Sequence, residues 1–213
     1  MKTPNIVILI VIVLLVVIAL NFCQQDSTYS STQNVVEESE PELIDPGARR
    51  GLHSENLLAR EYAEKAIGFM SNGNYSEAIK YYELAVKEDP YHSIYRSQLG
   101  SNYYASGDMF KAEDNWSRAL EIDQKNKSAL VGLAIIKHNR GEFENAIVLG
   151  EKVLSYDSTH DAAMWGLAHS YAALGDYKTS IDYYHKFLLY SRSKVNSEIA
   201  KKKIIELEQK MRD

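Results

Sequence analysis

The sequence predicts an all-α solenoid: four stacked helix-turn-helix repeats and a C-terminal capping helix, preceded by one N-terminal transmembrane helix. Three observations predict it. An unbroken apolar run opens the chain. A glycine-centred turn recurs every 34 residues, at Gly73, Gly107, Gly141 and Gly175. Around each turn, small and large side chains recur in register.

The apolar run reads Ile6 to Leu20, and Phe22 and Cys23 extend it to 18 residues. As a helix it would cover about 27 Å, close to the hydrocarbon thickness of a bilayer. It has no polar face, which argues against a soluble core helix. Three versions of this segment compete. A cleaved signal peptide needs small residues before the cut, and Ala19-Leu20-Asn21-Phe22-Cys23 lacks a good site. An acylated lipoprotein cysteine follows a small residue, and Phe22 precedes Cys23. An uncleaved signal anchor fits best, with Lys2 and the α-amino group keeping the N-terminus cytoplasmic and the remainder across the membrane. The expected organisation is a transmembrane anchor over 1–23, an acidic linker over 24–53, repeats over 54–192 (about 59–92, 93–126, 127–160 and 161–194) and a cap over 193–213.

Composition narrows the classes. The 213 residues are 45% apolar and 25% charged, which excludes a wholly disordered chain and a polytopic membrane protein. A single cysteine, Cys23, excludes a disulfide framework and a cysteine-rich zinc site. The net charge of −5 argues against nucleic acid as a partner. That charge is local: Asp26, Glu37, Glu38, Glu40, Glu42 and Asp45 lie in the linker with no Lys or Arg among them. From Ala48 on, basic and acidic side chains balance. The linker reads as a solvated tether rather than a docking motif.

Each repeat has a physical logic. The glycine takes the positive φ that ends the first helix. Five residues after it stands Ala78, Ala112, Ala146 or Ser180, and seven before it Ala66, Gly100, Ala134 or Ala168. These small residues let paired helices approach closely. Large residues four before (Phe69, Tyr103, Tyr171) and nine after (Tyr82, Trp116, Tyr184) fill the space around the crossing. Lys137 and Gly150 interrupt the large positions in the third repeat, which is therefore expected to pack less tightly. One helix pair cannot bury both its apolar faces, so the units must stack. Helices are predicted at about 55–71, 75–88, 93–106, 109–121, 126–140, 143–155, 160–174 and 177–190. A ninth, at 194–211, carries Ala200, Ile204, Leu207 and Met211 at helical spacing, with Lys201, Lys202 and Lys203 mostly off that stripe. In the adjacent tyrosines Tyr81-Tyr82, Tyr103-Tyr104 and Tyr183-Tyr184, one member of each pair is expected to pack.

This length, turn and small/large pattern resembles the tetratricopeptide repeat family over about residues 57–192, and the whole chain is similar to its membrane-anchored members. The resemblance implies a concave groove lined by the first helix of each repeat, binding a peptide or helix. Carried over position by position, the groove residues are Ile94, Ser97, Ser101 and Tyr104 in the second repeat, Val131, Ile135 and His138 in the third, and Trp165 and His169 in the fourth. The carboxylate clamp of the chaperone-binding class would fall on Ala63, Ile67, Gln98, Ser128 and Gly132, none of them the required Lys, Arg or Asn. That argues against an acidic C-terminal tail as ligand and for an apolar or aromatic protein segment. Trp165 and Tyr104 also have a simpler reading, as packing between repeats.

Chemistry has little to stand on. No H-E-x-x-H, P-loop, G-x-S-x-G or G-x-G-x-x-G occurs, and the cysteine lies in the apolar run. No enzyme activity, cofactor or metal is expected. The resemblance implies a non-catalytic membrane-tethered scaffold or adaptor, in a bacterial envelope assembly, secretion or chaperone complex, with its repeats in the periplasm. Two alternatives stay open: a structural subunit of a pilus, secretion or motor machine, and a cytosol-facing organelle import receptor.

Overall fold

The structure, a computed structural model, describes residues 56–212. The anchor and linker expected before them lie outside the described residues. The chain from 56 on forms nine α-helices with no strand among the described residues: α1 Leu57–Ser71, α2 Tyr75–Glu88, α3 Ser93–Ser106, α4 Met109–Ile122, α5 Lys127–Asn139, α6 Phe143–Tyr156, α7 Asp161–Ala173, α8 Tyr177–Tyr190 and α9 Lys194–Lys210. It is a tetratricopeptide-like solenoid. Among these helices none is long and apolar enough to cross a membrane.

The helix ends follow from local chemistry. Asn56, Asn126 and His160, expected at or inside helix starts, are N-caps instead: their side chains accept from the backbone N–H of Ala59, Ala129 and Ala163. At the four tight turns, Gly73, Gly107, Gly141 and Gly175 take φ of 72, 93, 80 and 82°. Asn74, Asp108, Glu142 and Asp176 then donate their backbone N–H to the carbonyls of Phe69, Tyr103, Lys137 and Tyr171 at 2.9–3.0 Å. The carbonyls left open at a helix C-terminus are thereby closed in a Schellman arrangement, and the chain re-enters a helix at once.

Packing is strictly sequential. Each helix packs on its neighbours in the chain, and α5 also touches both α3 and α7. The first helices of successive repeats thus form the inner layer, and the second helices the outer one. Tyr82, Tyr103 and Tyr184 are the buried members of the three tyrosine pairs. Tyr103 donates its hydroxyl hydrogen to Glu83, and Tyr171 does the same to Glu151 at 3.0 Å, tying each inner helix to the outer helix before it.

Trp116 locks the second repeat to the third. Its ring lies against Gly100 and Gly132, 3% exposed, and its Nε1–H donates to the Ser97 carbonyl at 3.1 Å. A Cβ on Gly132 would stand 2.3 Å from Trp116 Cε2.

The two helices of the third repeat pack on each other less extensively than those of the other three, as expected, and the next repeat makes up part of the difference. The space left by Gly150 is taken by Leu167 from the next repeat, whose Cγ would lie 2.9 Å from a Cβ there; Leu167 is 1% exposed. Lys137, at the other interrupted position, pairs with Glu142 at 2.9 Å across the turn. The missing volume in one repeat is made up by a side chain of the following one.

Two glycine substitutions should therefore act in opposite directions. Gly132→Ala overpacks the Trp116 site and is expected to destabilise the fold by about 1–3 kcal/mol. Gly68→Ala, in α1 with nothing within 4 Å of the new methyl, is expected to stabilise it by about 0.5–1 kcal/mol. Urea unfolding followed by circular dichroism measures both.

Candidate functional site

The inner helices hold a lane with a single charged side chain, Lys127, among its lining residues. Two depressions adjoin along α5. One, of about 320 Å³, lies between α5, α6 and α7; the other, of about 480 Å³, lies between α3, α4, α5 and the start of α7. Val131, Ile135 and Ala162 line both, so the lane is continuous past them.

Of the nine predicted groove residues, seven line this lane. Ser101 and Tyr104 sit at the α3 side, Val131 and Ile135 in the middle, and His138, Trp165 and His169 at the α7 side. Ile94 is exposed at 57% but lines neither depression. Ser97 is not on the wall: it is 1% exposed, its hydroxyl accepts from Asn126 Nδ2 at 3.3 Å, and its carbonyl holds Trp116. Helical spacing put Ser97 on the right side of α3, but α4 and the Asn126 cap close over it.

Ala134 and Gly166 were missed. Both line the deeper depression, and Gly166 has nothing within 4 Å of where a Cβ would stand. Their signal is a small side chain at Ala134 and none at Gly166, which a search for chemically active groups passes over. Helical glycine costs about 0.5–1 kcal/mol relative to alanine. At Gly100, Gly132 and Gly150 close packing explains that cost; at Gly166 packing gives no such reason.

The α7 end is aromatic and polar at once. Trp165 meets His169, Phe187 and Tyr184 with ring centroids 4.7, 4.9 and 5.8 Å apart. It is thus both a packing residue against α8 and part of the lane wall, so the two readings of it coexist. His169 Nδ1 donates to the Trp165 carbonyl at 2.9 Å. Tyr184 Oη lies 3.2 Å from the same nitrogen. His138 Nδ1 is 3.1 Å from Ser170 Oγ, whose own hydrogen goes to the Gly166 carbonyl.

Electrostatics keep this end neutral. Burial and the neighbouring His169 lower the pKa of His138. Burial lowers that of His169, against the opposing bond to Trp165, with Lys203 of α9 adding to the lowering. Burial pushes the Tyr184 hydroxyl up to about 12. At the rim, Lys127 is paired with Asp157 at 2.7 Å. Among the described residues no three His, Cys, Asp or Glu side chains converge to hold a metal. The lane can bind apolar surface and offer a few hydrogen bonds.

The fold is a solenoid of helical repeats. The tetratricopeptide repeat family model matches residues 69–92 and 162–193. Photosystem I assembly protein Ycf3 of Cyanophora paradoxa is 34% identical over 84 residues, covering 38% of this chain and 49% of that protein. The chain spans about half the length of the curated photosystem I assembly proteins of Cyanophora paradoxa and Prochlorococcus marinus that it matches. MamA from residue 41 to its end, from Desulfovibrio magneticus RS-1, superposes with a TM-score of 0.56 at 14% identity, covering 72% of this chain and 95% of that one. The first such domain of Spaghetti (RPAP3), solved with the HSP90 peptide SRMEEVD, gives 0.54 at 22% identity, covering 56% and 98%. The family model matches these two stretches, and the structural neighbours share the fold; tetratricopeptide repeat proteins mediate protein–protein interaction.

The histidine pair predicts a pH dependence of stability. The folded chain holds His138 and His169 below the ordinary histidine value, so the unfolded chain takes up protons first as pH falls through about 6.5. Stability present above that value is lost as pH falls toward the folded pKa values. The melting temperature should drop between pH 7.5 and 5, and the drop should shrink in His169→Gln.

Proposed function

We propose that this chain is a non-catalytic adaptor that holds a segment of a partner protein in the lane along α3, α5 and α7. One observation carries the reading: the lane is continuous and lined largely by apolar and aromatic side chains with a few neutral polar ones, Lys127 at the rim being the one charged side chain among its lining residues. A peptide bearing carboxylates would find no cation there except the rim Lys127, already paired. The SRMEEVD peptide bound by the RPAP3 domain is therefore a poor guide to this ligand. An apolar or aromatic segment, anchored near Trp165 and His169, matches the lining. Buried anchors of that kind carry most of the energy of such interfaces.

We further propose that residues 6–23 anchor the chain in a lipid bilayer, with the repeats on the periplasmic side of a bacterial inner membrane. The support is the apolar run and the scarcity of flanking positive charge. Tethering would raise the local concentration of whatever the lane binds.

The test is crosslinking and affinity recovery of the full-length protein from its own membranes, beside Ile135→Glu. Ile135 lines both depressions, and it is less embedded than Trp165. The expected result is loss of the recovered partner by at least about tenfold, with helicity and melting temperature retained. An unchanged partner set would reject the lane as the binding surface. Protease digestion of sealed membrane vesicles tests the placement: the repeats should be cut only from the periplasmic side.

A further inference from the structure

The outer face of the capping helix mixes charged side chains with exposed aliphatic ones. Its inner stripe, Ala200, Ile204 and Leu207, is buried. On the opposite side Val195 is 70% exposed and Ile205 63%, Ile199 on one flank is 41% exposed, and no other described helix covers them. A terminal repeat surface that only met water would be expected to be polar.

The exposed side has a seam. Val195, Glu198, Lys202, Ile205 and Gln209 follow one another at steps of three and four residues, the spacing at which one helix meets another. Ile199 flanks the seam on one side; Lys194, Lys201 and Glu208 flank it on the other. Within the chain, Lys201 bonds to Glu198 at 2.7 Å and Lys203 to Glu206 at 2.9 Å. Lys202 makes no ion pair among the described residues.

We propose that α9 is a self-association surface that pairs antiparallel with α9 of a second copy of this chain, centred on residue 200. Charge complementarity selects the occupant and the register. In that register Glu198 of each chain faces Lys202 of the other, twice, and Val195 faces Ile205 on either side of those layers. At the edges Ile199 meets its own counterpart and Lys194 meets Glu208. One contact is adverse, Lys201 against Lys201, and each of these is already held by its own Glu198.

Other arrangements of the seam fail. A parallel pairing sets Glu198 on Glu198 and Lys202 on Lys202. Sliding the antiparallel pair by one heptad toward the C-termini sets Lys202 against Ile205 and Val195 against Arg212. Centring it on residue 202 sets Glu198 against Glu206 and Lys202 against itself. Only the register centred on 200 matches charge to charge and apolar to apolar, and it buries the three aliphatic side chains that the cap leaves in water. The surface is a two-fold one, so association closes at a dimer and leaves the lane on α3, α5 and α7 free.

Charge exchange tests this on the full-length chain in detergent, with mass measured by light scattering and helicity by circular dichroism. The wild type should dimerise. Glu198→Lys and Lys202→Glu, separately, should each weaken dimerisation by at least about tenfold while helicity holds. The double variant should restore it, and the two single variants, mixed, should pair with each other in preference to themselves. A monomeric wild type would overturn the proposal. So would a dimer indifferent to either reversal, because its contact then lies on another surface, such as the N-terminal apolar run.

Discussion

The insertion of Trp116 between Gly100 and Gly132 is the contact on which the middle of this solenoid depends. It joins α3, α4 and α5 in one place and is held there by the Ser97 carbonyl. Asn126 closes the same site from the junction with the next repeat, capping α5 with its oxygen and binding Ser97 with its nitrogen. The tryptophan therefore fixes how far α5 stands from α3, and so the width of the lane between them. Tyr104, which stacks at a tilt 5.8 Å from Trp116, carries that spacing to the lane wall. Rigid packing inside and a shaped surface outside are one arrangement.

The deep end of the lane is built on the same principle with the opposite filling. At Gly150 the gap is closed by Leu167; at Gly166 it is left open. The two sit close together, one beneath α7 and one upon it. The fold thus spends a helical glycine to keep a hollow beside a tight contact. Around the hollow, Trp165, His169 and Tyr184 brace one another through ring contacts and hydrogen bonds, so the wall is preorganised. A surface of this kind loses little side-chain freedom on binding.

Much of this was legible from residue spacing alone. The helices fall within two residues of the expected bounds, because glycine turns and Asn, Asp or His caps are local signals that act without the rest of the fold. Seven of the expected groove residues line the lane for a similar reason: helical periodicity is local. The errors share a cause that is not local. Ser97 is covered by α4 and by Asn126, which is distant in sequence though within the same repeat. The third repeat does pack less extensively within itself, but Leu167, which fills its gap at Gly150, belongs to the fourth and was not foreseen. The hollow at Gly166 is a missing side chain, and the exposed stripe of α9 shows only once its buried stripe is known. Each required knowing which side chain arrives from elsewhere.

The uneven filling of the junctions has a consequence for the order of the array. A tryptophan from the second repeat enters a hole in the third, and a leucine from the fourth enters a hole in the third from the other direction. The third repeat is the recipient on both sides. Its neighbours could not exchange places with it without setting bulk against bulk at one junction and void against void at another. The four units look like copies in sequence, but they are keyed, and the chain reads as a fixed sentence rather than as a repeated word.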